Sequence, residues 1–137
     1  MTGDTGLGKS FLASCIAVEV ASGGYSVVYE TAFDILGAIE ERRFNRTEGE
    51  DKTEKYRTCD LLVIDDLGAE MITTFTVAAL YNLITTRAAA GKKMIIVTNL
   101  SLEEIAKKYS EQIASRLRGE YVNLPFIGRD IRSIKRK

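Results

Sequence analysis

The sequence predicts an α/β fold built on a mostly parallel sheet between two layers of helix. Three continuous apolar runs of strand length punctuate the chain, at residues 25–31, 61–64 and 94–97. Continuous rather than alternating runs suit strands covered on both faces. Helical patterns of crossover length separate them. The single proline, Pro125, lies near the C-terminus, so glycines and changes of hydrophobic period mark the boundaries.

Residues 9–21 carry Phe11, Leu12, Cys15, Ile16 and Val18 at helical spacing and stop at Gly23-Gly24. Val27 and Val28 open the first strand. Residues 33–44 form the next helix through Phe33, Leu36 and Ile39, and the mixed-charge stretch 45–57 reads as a solvated helix end or loop. The second strand is Leu61-Leu62-Val63-Ile64. Val77, Leu80, Tyr81 and Ile84 then define a helix over 74–90, with Gly91 ending it. After the third strand, Ser101-Leu102-Glu103-Glu104 has the form of a capping box. It opens a helix that runs to Arg118, with a break near Ser110. A last short strand is expected at 121–124. No repeat, linker or boundary interrupts residues 1–137, which reads as one domain.

Composition narrows the function classes. With 45% apolar and 28% charged residues the chain has the make-up of an ordinary globular protein. Nineteen basic residues balance nineteen acidic ones, so nucleic acid would have to be met by a local patch. No apolar run reaches the ~18 residues of a membrane helix and no leader opens the sequence, so the cytoplasm is the expected compartment. Histidine is absent, and Cys15 and Cys59 stand at no metal-ligand spacing. That excludes histidine catalysis, histidine-ligated zinc and a disulfide framework.

The chemistry begins at Gly3-Asp4-Thr5-Gly6-Leu7-Gly8-Lys9-Ser10, which fits G-x-x-x-x-G-K-[ST] and runs directly into the first helix. Glycines allow positive φ and bring backbone N–H groups against phosphate oxygens, and the helix N-terminus adds partial positive charge. In such a P-loop, Lys9 reaches the β- and γ-phosphates and the Ser10 hydroxyl ligates Mg²⁺. Residues 3–11, ending at Phe11, are the expected ATP/ADP-binding segment. A P-loop normally follows a buried strand, and only Met1 and Thr2 precede Gly3, so the sheet is expected to be incomplete at this end.

The second strand ends in Asp65-Asp66. Adjacent acids at a strand's end repel each other unless a cation is near. Asp65 is expected to hold Mg²⁺ as the Walker B acid, and Asp66 to orient or deprotonate the attacking water. The third strand ends Val97-Thr98-Asn99, which places an amide where it can bond the γ-phosphate or the water. Turning the chain is an equally good role for Asn99 on spacing alone.

With Gly-Asp-Thr-Gly-Leu-Gly-Lys-Ser, Leu-Leu-Val-Ile-Asp-Asp-Leu-Gly-Ala-Glu, Ile-Val-Thr-Asn and Ser-Arg-Leu-Arg-Gly in this order, the chain resembles the AAA+ ATPases of the DnaC/DnaI helicase-loader and IstB transposition-helper group. The resemblance covers essentially the whole chain. It implies a P-loop NTPase three-layer sandwich without the helical lid of larger AAA+ proteins, since about eighteen residues follow Gly119. It also implies that Asn99 is sensor 1 and that Arg116 is an arginine finger acting in trans. Arg132 matches sensor 2, with Arg129 as a competitor. A solvated helix arginine is the alternative for Arg116.

The resemblance further implies ATP hydrolysis that depends on homo-oligomers in the ATP state, with a replicative helicase as partner through a segment not in this sequence. Single-stranded DNA is the expected polymer. Arg129, Arg132, Lys135, Arg136 and Lys137 cluster at the C-terminus, and Arg42, Arg43 and Arg46 form a second group. Each phosphate contact would steepen salt dependence, although both groups also suit a solvated surface. The favoured function is an ATP switch for a DNA replication machine. A transposition helper is the alternative, followed by a small-molecule P-loop kinase and a degenerate remnant of such an ATPase.

Overall fold

The computed structural model describes residues 1–45 and 49–134. Arg46, Lys135, Arg136 and Lys137, counted above in the basic groups, lie outside them. The elements run α1 Lys9–Ser22, β1 Val27–Thr31, α2 Ala32–Phe44, α3 Glu54–Thr58, β2 Leu61–Leu67, α4 Thr74–Ala89, β3 Lys93–Thr98, α5 Leu102–Lys108, α6 Glu111–Glu120 and α7 Ile131–Ile134.

The strands form one sheet in the order β1-β2-β3, parallel throughout, with Val27 beside Leu61 and Leu61 beside Lys93. Because side chains alternate, the continuous apolar runs feed both faces. Leu62, Ile64, Met94 and Ile96 join Ile35, Leu36, Leu80, Ile84, Ile105 and Ile113 in the larger core. Leu61, Val63 and Val97 pack on the other side with Ala13 and Ala17 of α1. The small alanines let α1 sit close to the sheet, and α1 leaves Phe11 and Val18 at 75% and 67% exposure.

Helix starts follow their capping residues. Thr31 accepts from the Asp34 amide at 3.1 Å. Thr73 with Thr76, and Ser101 with Glu104, form reciprocal boxes. Ser110 caps α6 and accounts for the expected break between α5 and α6.

Two short helices depart from the expected reading. The stretch 45–57 contains the start of α3, because Tyr56 turns inward to 3% exposure while its charged neighbours face water. The tail adds α7. Arg87 of α4 is also buried, at 1% exposure, and donates to the carbonyls of Tyr56 at 2.9 Å and Lys93 at 2.5 Å. It joins α3, α4 and the start of β3.

The expected strand at 121–124 is an extended segment with one bridge, between Thr2 and Pro125. Its ladder partner is Thr2. Met1 donates its ammonium to Ile96 O at 2.8 Å and accepts from the Thr98 amide at 3.1 Å. Thr2 faces the other way, donating to Leu124 O at 3.1 Å and accepting from Phe126 N at 2.8 Å. Residues 1 and 2 therefore wedge between β3 and the tail. Below them opens a cleft of about 1290 Å³, lined by Met94, Ile96, Tyr121, Val122 and Leu124 among others. Burial, and secondly the charge of Lys9, lower the Met1 ammonium pKa.

Candidate functional site

The glycine loop occupies residues 3–8 and delivers the chain into α1 at Lys9. Gly6 and Gly8 take φ of 81° and 90°, conformations that side-chain-bearing residues rarely adopt. Space forbids a side chain as well. A Cβ on Gly3 would come 2.3 Å from the Phe126 carbonyl oxygen, and one on Gly6 would come 2.1 Å from Asp130 Oδ1.

Lys9 is 5% exposed, and its Nζ donates to the carbonyls of Gly3 and Asp4, each at 2.6 Å. The loop is thus closed around its own ammonium. Ser10, one residue on, donates from Oγ to Asp65 Oδ1 at 2.9 Å. Asn99 at the tip of β3 donates from Nδ2 to Thr5 Oγ1 at 3.0 Å. The structure therefore brings Thr5, Lys9, Ser10, Asp65 and Asn99 together, from the loop and the C-terminal ends of β2 and β3.

The acidic pair owes its shape to an irregularity in the sheet. Between the pairs Ile64–Ile96 and Leu67–Thr98, β2 spends one residue more than β3. Asp66 sits in this bulge with φ of 52°, the one described non-glycine residue at positive φ. Its amide donates to Asp65 Oδ1 at 2.9 Å, and its side chain is free in solvent while Asp65 is half-buried.

A further residue belongs to the site that the sequence did not single out. Tyr29 on β1 donates its hydroxyl to Asp65 Oδ2 at 2.7 Å, and that hydroxyl also lies 3.3 Å from Ser10 O. Asp65 thus has one oxygen toward Ser10 and the other held by Tyr29. Burial chiefly, and the adjacent Asp65 carboxylate, push the Tyr29 pKa up. The available signal was register: β1 pairs Thr31 with Asp65, so Tyr29, two residues back, shares its face.

Other expected residues lie elsewhere. Phe11 points outward from the first turn of α1. Leu7 touches the tail near Gly128, while Asp4 contributes its carbonyl to Lys9. Arg116, on α6, is ion-paired with Glu120 at 2.6 Å beside Tyr81 and makes no hydrogen bond to the loop. Arg129 and Arg132 are exposed on the segment that crosses the loop, where the Ile131 amide donates to Gly6 O at 2.9 Å. Both flank Asp130, whose carboxylate lies against Gly6.

The sequence profile of the IstB-like ATP binding protein family matches residues 1–116. The chain belongs to this family. This IstB-like chain is 29% identical over 118 residues to the replicative helicase loader DnaC of Escherichia coli K12, covering 85% of this chain and 48% of that protein. It spans about half the length of that curated relative. In fold it is similar to the crystal structure of the DnaC helicase loader, with a TM-score of 0.78 and 23% identity over 92% of this chain and 76% of that one. It is also similar to a replication initiator DnaA bound to AMPPCP and single-stranded DNA, with a TM-score of 0.81 and 23% identity over 93% and 39%. The α/β architecture of this IstB-like protein is that of P-loop AAA+ proteins. Among the described residues no helix is long and apolar enough to cross a membrane.

Proposed function

We propose that this chain is the ATP-hydrolysing core of a cytoplasmic DNA replication protein of the helicase-loader kind. The observation that carries the reading is the convergence of Lys9, Ser10, Asp65 and Asn99 on a glycine loop at the start of a helix. Family membership and the similarity to DnaC support the replication role.

The residues present fit a nucleotide with Mg²⁺. The loop supplies N–H groups and a helix N-terminus for phosphate. Ser10 and Asp65 are hard oxygen donors 2.9 Å apart. Among the described residues no group of three or more His, Cys, Asp or Glu could hold a metal. Mg²⁺ would therefore complete its shell with phosphate oxygens and water, as this ion ordinarily does. Bound there, it neutralises charge on the phosphates.

On nucleotide binding, Lys9 exchanges the carbonyls of Gly3 and Asp4 for phosphate oxygens. Ser10 releases Asp65, which Tyr29 keeps oriented. Asp66 accepts a proton from the attacking water as the new phosphorus–oxygen bond forms and the bond to ADP breaks. Asn99 holds the water or the γ-phosphate from the side, and Arg129 or Arg132 approaches from the tail. Arg116, free of its own loop, serves a neighbouring subunit's nucleotide. Such a finger is typically worth about 10³ to 10⁵ in rate, so an isolated monomer turns over slowly and homo-oligomers form in the ATP state. Single-stranded DNA and a replicative helicase are the expected partners.

Calorimetric titration with ATP, with and without Mg²⁺, and turnover measured against protein concentration test the reading. The expected result is ATP binding, with a rate per subunit that rises with concentration and collapses in Arg116→Ala. Absence of heat with any adenine or guanine nucleotide on folded protein would refute it. The second reading, a transposition helper, is favoured by the family description and uses the same core. Capture of a transposase in place of a replicative helicase would select it.

A further inference from the structure

The turn after the acidic pair takes left-handed backbone and is tied down by side chains on both sides. Asp66 has φ of 52° and Gly68 has φ of 104°. A Cβ on Gly68 would lie 2.7 Å from Leu100 Cδ1. Left-handed backbone is uncommon outside glycine, Asp being among the few residues that adopt it, and contacts from the surroundings hold it in place. Here one enforcing contact comes from Thr98, whose hydroxyl donates to Leu67 O at 2.7 Å. The other comes from Glu70. Its Oε2 accepts from the Gly68 amide at 2.9 Å, and its Oε1 accepts from the Tyr109 hydroxyl.

Glu70 and Tyr109 are each 8% exposed. A buried carboxylate is costly without donors, and among the described residues no Lys or Arg pairs with this one. Tyr109 stands between α5 and α6, next to the Ser110 cap of the helix that bears Arg116. One carboxylate thus bonds both the turn of Asp66 and the junction ahead of Arg116. Burial, then the bond to Glu70, push the Tyr109 pKa well above the ordinary phenol range.

We propose that Glu70 is a positioning residue for hydrolysis: its carboxylate fixes the left-handed turn that aims Asp66 and ties that turn to the α5–α6 junction. This rests on the role given to Asp66 above. Glu70 itself touches no nucleotide, so its removal should leave binding intact and slow the chemical step.

The test compares Glu70→Ala, Glu70→Gln and Tyr109→Phe with the parent chain, measuring the Kd for a fluorescent ATP analogue and kcat at saturating Mg-ATP. Glu70→Ala is expected to lower kcat by about tenfold or more with Kd within about twofold, because both donors lose their acceptor. Glu70→Gln keeps an acceptor and is expected to recover most of the rate. Tyr109→Phe keeps the ring and removes one bond, so it is expected to lower kcat by about threefold at unchanged Kd. Tyr109→Phe decides the matter if Glu70→Ala does not fold. An unchanged kcat in Tyr109→Phe, or losses in Kd and kcat of equal size, would overturn the proposal while leaving the ATPase reading intact. A parent chain that binds no nucleotide overturns both.

Discussion

Ser10 Oγ donates to Asp65 Oδ1 at 2.9 Å, which sets side by side the two groups proposed to hold one divalent cation. Removing Asp65 breaks that pairing without touching the glycine loop. Asp65→Ala is expected to abolish Mg²⁺-dependent turnover, while the ATP affinity measured in EDTA stays within about threefold of the parent. Calorimetry in the two buffers checks it.

Tyr29 holds the other oxygen of the same carboxylate at 2.7 Å. A hydrogen bond to a charged acceptor is typically worth about 1.5–3 kcal/mol. Tyr29→Phe is therefore expected to raise the Mg²⁺ concentration needed for half-maximal turnover by several-fold, with maximal rate at saturating Mg²⁺ little changed. A Mg²⁺ titration of hydrolysis reads this directly.

Lys9 bridges two carbonyls of its own loop at 2.6 Å each. Lys9→Ala removes the cation that would meet phosphate and leaves both carbonyls to water. Its Kd for ATP is expected to rise by about a hundredfold or more, with near-native circular dichroism. Equal affinity in the two proteins would remove Lys9 from the site.

Asp60 anchors the other end of the sheet. Its carboxylate accepts from the Ser26 amide at 3.0 Å and from Lys92 at 3.0 Å. These bonds, the Ser26 amide first, hold its pKa down at about 2 against an ordinary 3.8. A depressed carboxylate adds stability above its unfolded pKa and loses it as pH falls toward its folded one. The Tm of Asp60→Asn is expected to lie below that of the parent at pH 7. The gap should close between about pH 4 and pH 2. Thermal melts across that range check it.

Ile84 is fully buried at the contact of α4 with the sheet. Ile84→Ala is expected to cost about 2–5 kcal/mol, read from the urea midpoint at constant m.

The three strands and helices such as α4 were legible because their apolar residues are buried by period. Helix α1 was legible by the same spacing, yet Phe11, Leu12, Cys15 and Val18 face outward and Ala13 and Ala17 are the residues that pack on the sheet. That the glycine loop, Asp65 and Asn99 meet at one edge was legible because the two polar residues stand at the C-terminal ends of neighbouring parallel strands and the loop opens the helix packed against them. What escaped was set by single contacts between distant residues. Tyr56 is the inward-facing aromatic among the charges of α3, so its segment read as solvated. Arg87 looks like any basic residue near a helix end until the carbonyls of Tyr56 and Lys93 are seen around it. Tyr29 lies in an apolar run that reads only as a strand, and Glu70 stands out in sequence only as the end of the motif Leu-Leu-Val-Ile-Asp-Asp-Leu-Gly-Ala-Glu. Arg116 was assigned by resemblance, and its pairing with Glu120 belongs to the surface of this chain.

Met1 and Thr2 lie between β3 and the segment at Leu124, bonding Ile96 and Thr98 on one side and Leu124 and Phe126 on the other. The glycine loop begins at the very next residue, so a substitution that pries this pair from either neighbour would slacken the loop as well. Reporter groups for nucleotide experiments therefore belong at exposed positions away from the pair, such as Glu19 in the later turns of α1.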